Sequence, residues 1–95
     1  MNVEVLWSKL LEQLKDELSS LSYDTWFKDT ELYKLENGKA YIIVPMPIHK
    51  KILNEQYYDF ITSKLSTITG TNYDLYLTLK EEIEEEEKKE EEKRE

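Results

Sequence analysis

The chain has no cysteine, two glycines, two prolines and one histidine among its 95 residues. Without cysteine no disulfide can staple the fold, so stability must come from packing. A zinc site needs about four Cys, His or carboxylate ligands at close range, and no such cluster is legible. With so few glycines there is no G-x-x-x-x-G-K-[ST] and no G-x-G-x-x-G, so nucleotide phosphates have no evident cradle. The G-x-x-G loop of a typical KH nucleic-acid module is missing too. No apolar run approaches the ~20 residues that span a bilayer. No basic start followed by an apolar core marks a signal peptide. A soluble cytoplasmic protein, off the membrane, is the expectation.

Catalytic chemistry is also thinly supplied. The lone histidine, His49, has no identifiable nucleophile or orienting partner. It reads as a surface residue just inside a helix start. The chain is therefore not expected to be an enzyme, and no cofactor is expected in it.

What is present divides the chain in two. Residues 80–95 read KEEIEEEEKKEEEKRE, with ten acids, five bases and Ile83 as the one apolar side chain. This segment is expected to be a frayed helix or a solvated linker start. Residues 1–79, with 11 acids and 8 bases, form a mildly acidic body. A body of that size buries roughly 60% of its unfolded surface, enough for one core.

Along the body, Val3, Leu6, Trp7, Leu10, Leu11, Leu14 and Leu18 recur at helical spacing and make one apolar stripe. Ser22 is a good N-cap for a second, short helix through about Lys28. Asp24 in that first turn would suit the positive helix end. Asn37-Gly38 between two β-rich runs, 31–36 and 39–44, is a strong hairpin signal because both residues accept positive φ. Pro45 ends the second strand and Pro47 suits a helix first turn. Ile48, Ile52, Leu53, Tyr57, Phe60, Ile61, Leu65 and Ile68 predict one amphipathic helix of about five turns. Gly70 is placed to cap it in the left-handed conformation. Tyr73, Leu75, Leu77 and Leu79 then alternate with polar neighbours, the pattern of a strand with one buried face. The order is α-α-β-β-α-β, an α+β fold. The third strand should run parallel to the second, and the first and last helices should cover the three-stranded sheet.

Two surfaces stand out. Trp26 lies on a helix too short to bury a whole indole, beside Asp24 and Thr25, which is a hot-spot composition. Tyr33, Tyr41 and Tyr76 lie on strands, where ordinary β-propensity explains them, although base stacking is an alternative. Lys28, Lys34, Lys39, Lys50 and Lys51 could add a local patch for single-strand contact, against a weak overall electrostatic term.

Leu6-Trp7, the leucines through Leu18, Ser22-Tyr23-Asp24-Thr25-Trp26-Phe27, the hairpin into Val44-Pro45, Ile48, Leu53, Tyr57, Ile61, Thr69-Gly70 and the Leu75–Leu79 strand together resemble domain I of the bacterial replication initiator DnaA. The resemblance covers about residues 3–79. It implies a KH-like fold and a protein-docking module for initiator self-association, replicative-helicase loading and regulators of initiation. ATP would bind only in a downstream domain of a full-length initiator. The family's self-association tryptophan falls at Trp7. Its helicase and regulator surface falls on Ser22, Asp24, Thr25, Trp26, Met46, Ile48 and His49. A glutamate used for helicase contact in some members is Ser22 here. The usual Pro-Asn-aromatic run is Pro45-Met46-Pro47-Ile48, and a tryptophan common in the long helix is Ile52. The alternative expectation is a weak single-strand nucleic-acid module of KH-like fold, with Lys28, Lys34, Lys50 and Lys51 as possible contacts.

Overall fold

Asn2 opens the first helix: its side-chain oxygen accepts from the Glu4 amide at 2.8 Å, satisfying a donor with no intrahelical partner. Helix α1 spans Val3–Glu17, and its stripe buries Leu6, Trp7, Leu10 and Leu14. The computed structural model describes residues 2–85. The further elements are α2 (Ser20–Trp26), β1 (Glu31–Glu36), β2 (Lys39–Val44), α3 (Pro47–Gln56), α4 (Tyr58–Thr69) and β3 (Asp74–Leu79).

The sheet has the order β1-β2-β3, with β1 antiparallel and β3 parallel to the central β2. Asn37 and Gly38 turn the hairpin at φ 52° and 75°. Ala40, Ile42 and Val44 pair with Leu75, Leu77 and Leu79 on the face under the helices. Tyr41 pairs with Tyr76 on the opposite face. The core joins the inner sheet residues to Leu6, Leu10 and Leu14 of α1, Phe27, Leu53 of α3 and Ile61 and Leu65 of α4. Each fully buried leucine or isoleucine here contributes about 1.5–3 kcal/mol.

Three local expectations are corrected. The α2 cap is Ser19, whose hydroxyl accepts from the Ser22 amide at 3.1 Å. Ser22 thus lies inside the helix, and Asp24 falls beyond the first turn. Consecutive serines offer several possible caps, and the chain takes the one directly after the α1 stripe ends. The predicted five-turn helix is two helices, broken at Tyr57, which sits at φ −121°, ψ 3°. No proline or glycine causes the break. Asn54, Tyr57, Tyr58 and Asp59 are all modest helix formers. Tyr57 meets the Phe27 ring edge-on, with centroids 5.1 Å apart. That contact, with Leu53 and Ile61 both buried, favours the bent path over a straight helix.

Helical conformation also resumes at residue 80 and runs to 85, the last described residue. Ile83 is only 8% exposed, so the start of the acidic run packs against the domain. The rest of that run, 86–95, lies outside the described residues.

Candidate functional site

The contact between α2 and the start of α3 is built by a histidine. His49 lies in the first turn of α3 and is 8% exposed, which corrects the expectation of a surface residue. Its Nε2 lies 2.9 Å from the Thr25 carbonyl oxygen. A carbonyl only accepts, so Nε2 carries the proton and donates. The same imidazole meets Trp26 in a T-shaped contact, with centroids 5.3 Å apart and planes at 72°. Nδ1 is buried without a hydrogen-bond partner. His49 is therefore a rivet between helices.

The loop behind this corner is fixed from the other side. Trp7 Nε1 donates to the Thr30 carbonyl and to its hydroxyl oxygen, both at 3.2 Å. The Thr30 hydroxyl donates onward to the Phe27 carbonyl at 2.6 Å. Residues 27–30, which connect α2 to β1, are thereby tied to α1. Thr30 is buried, although nothing beside it in the sequence marks it out. Its role depends on a partner 23 residues away, which no local pattern reveals.

On this hydrogen-bonded support, apolar side chains face solvent. Met46 is 55% exposed and Ile48 45%, on either side of Pro47 and directly before His49. Trp26 is half-buried, while Thr25 and Asp24 are exposed on α2. Ser22 is half-buried, and its hydroxyl accepts from Ser19. The structure thus joins Thr25, Trp26 and His49 directly, and Met46 and Ile48 come just before His49 in the chain. Leu21, on the same short helix, is 78% exposed. It is an apolar side chain that the sequence reading did not single out, although it stood outside the α1 stripe.

Trp7 behaves differently. Its ring is buried and its N–H is bonded, so it presents little surface to a second copy. Beside it, Val3, Glu4, Ser8, Leu11, Leu32 and Tyr33 line a groove of about 380 Å³. Val5, on the same helix, is exposed.

The lysines are spread over the loop after α2, α3 and the sheet. Lys28 is exposed after α2, and Lys51 is exposed on α3. Lys50 pairs with Glu82 at 2.7 Å. Lys34 and Lys39 lie on the outer sheet face, with Nζ 4.8 Å from the Tyr41 ring centroid and 4.9 Å from that of Tyr76. The Glu36 carboxylate, hydrogen-bonded to the Lys34 ammonium, raises the Lys34 pKa. Among the described residues no group of three or more His, Asp or Glu could hold a metal ion. No helix among them is long and apolar enough to cross a membrane.

A small α+β domain with an exposed apolar corner on a hydrogen-bonded frame is equipped to hold another macromolecule. Residues 4–67 match the DnaA N-terminal domain, and the chain belongs to that family. Its fold is similar to that in the crystal structure of a HobA–DnaA (domain I–II) complex from Helicobacter pylori. The match has a TM-score of 0.62 and 17% identity, covering 76% of this chain and 94% of that one.

Proposed function

We propose that the α2–α3 corner is a protein-docking site of a replication initiator in the cytoplasm, taking the replicative helicase and regulators of initiation. The observation that carries the reading is the exposure of Met46 and Ile48 next to the His49–Thr25–Trp26 rivet. Apolar anchors gain most when they are held rigid before binding, because less side-chain and backbone freedom is lost on association. Trp26 and Ile48 act as anchors, while Asp24 and Thr25 supply the polar rim that orients the partner. The H. pylori domain, of similar fold, was crystallised in complex with HobA, which supports another protein as one partner. The domain binds and does not catalyse, and it needs no cofactor of its own. Chemical-shift mapping with unlabelled helicase or regulator tests the site. The reading expects the largest shifts at residues 24–26 and 46–50, and shifts confined to other elements refute it.

Self-association uses the α1 face around Trp7. Trp7 shapes that face from within, and Val3 and Leu11, which line the groove beside it, supply the contact. Sedimentation of Val3→Glu checks it: weaker self-association in a full-length initiator is expected, with circular dichroism showing the fold unchanged.

A second reading has its own observation. Tyr41 and Tyr76 lie side by side on the outer sheet face, with ring centroids 5.3 Å apart and planes inclined by 33°. Lys34 and Lys39 stand over these rings. Aromatic faces beside ammonium groups suit single-stranded nucleic acid, where bases stack and phosphates pair with cations. Titration of a labelled single strand at two salt concentrations tests this reading, which expects weak, salt-dependent binding lost in Tyr76→Ala.

A further inference from the structure

We propose that the helix at 80–85 is a built-in cover for the tyrosine–lysine face, with Ile83 as its plug and the Glu82–Lys50 pair as its latch. The proposal rests on the single-strand reading of that face.

β3 ends at Leu79 and helical conformation resumes at residue 80, so no loop separates the strand from the cover. Within KEEIEE, Ile83 is the one apolar side chain, and it is the one that is buried. It lines a cavity of about 190 Å³ together with Tyr33, Lys34, Tyr41 and Tyr76. Lys34, Tyr41 and Tyr76 are residues of the outer face, where the rings and ammonium groups of the single-strand reading lie. An isoleucine in a run of glutamates has little reason to leave solvent unless this face receives it.

The latch is geometric. One Glu82 carboxylate oxygen accepts from Lys50 Nζ at 2.7 Å, and the other accepts from the Thr78 hydroxyl at 3.0 Å. Lys50 belongs to α3 and Thr78 to β3, so the helix is pinned to two elements. Glu82 spends its charge on Lys50. Glu81, Glu84 and Glu85 remain exposed on the same helix, Glu81 and Glu84 on the side of Pro45 and Pro47. Docked, the helix occludes part of the face with Ile83. Undocked, it leaves both rings open. The apparent affinity for a strand then scales with the open fraction.

The test uses the full chain and a fluorescein-labelled oligothymidylate, read by anisotropy, with amide hydrogen exchange at 81–85 as a separate measure of docking. Ile83→Ser changes no charge. It should release those amides and tighten strand binding about fivefold to tenfold. Ile83→Leu should behave like the parent, and Tyr76→Ala added to Ile83→Ser should abolish the gain. If Ile83→Ser leaves the amides protected, Ile83 is not the plug and the proposal falls. Free amides with unchanged affinity also overturn the cover. In either case the single-strand reading stands as long as Tyr76→Ala weakens binding. If neither parent nor Ile83→Ser binds the strand, the single-strand reading fails and the cover with it.

Discussion

The imidazole of His49 donates from Nε2 to the main-chain carbonyl of Thr25, 2.9 Å away and 24 residues earlier in the chain. That bond joins two helices whose lengths alone would not fix their angle. α2 has seven residues and none of them is fully buried, so its position depends on such long-range ties.

His49→Phe keeps an aromatic ring against Trp26 but removes the donor to Thr25. The expected cost is about 1–3 kcal/mol of folding stability, from a carbonyl left without its partner. Urea denaturation measures it. Affinity for a docked partner should fall by more than the stability loss explains, because α2 loses its fixed angle.

Trp7→Phe separates ring packing from the Nε1 hydrogen bonds. Losing the donor shared by the Thr30 carbonyl and hydroxyl should cost about 1–2 kcal/mol, while Trp7→Ala, which also opens a cavity, should cost about 3–5 kcal/mol. Thermal or chemical denaturation distinguishes the two. Weakened self-association in Trp7→Ala must therefore be judged only where the variant is shown to be folded.

Gly70 closes α4 at φ 77°, and a Cβ built there meets nothing within 4 Å. Gly70→Ala should thus cost about 1 kcal/mol from backbone strain alone, and Gly70→Asn should cost less. Equal stability of the alanine and glycine forms would contradict the left-handed cap.

Acid should loosen the 80–85 helix. The Lys50 ammonium, and then the Thr78 hydroxyl, hold the Glu82 carboxyl below the usual carboxylate range. A lowered folded-state pKa stabilises above the ordinary glutamate value, and that contribution is lost as pH falls through the lowered value. Hydrogen exchange at 81–85, corrected for its intrinsic pH dependence, should therefore speed up in acid before the core opens. Glu82→Gln should reproduce the effect near neutral pH.

Much of the fold is local in origin and so was legible in the sequence. Asn37-Gly38 specifies the hairpin, Pro47 a helix start, Gly70 a helix end, and the α1 leucines a buried stripe. The alternation of Leu75, Leu77 and Leu79 identifies the inner face of β3. The features that escaped are those decided by distant partners. The break at Tyr57 involves a ring from Phe27. The burial of His49 depends on a carbonyl of α2, and that of Thr30 on an indole of α1. Ile83 looked solvated because its neighbours in sequence are glutamates, whereas its neighbours in space are tyrosines. For the proposed docking site, Trp26, Met46 and Ile48 were legible as residues, but the His49 contacts to Thr25 and Trp26 were not.

The central claim is that another protein grips the α2–α3 corner. Titration calorimetry of the domain against the replicative helicase or initiation regulator from its own genome tests it most directly, using Ile48→Ser and Trp26→Ala shown by circular dichroism to be folded. Each variant should lose about 2 kcal/mol of binding free energy, close to thirtyfold in Kd. Parental affinity in both folded variants would contradict the claim.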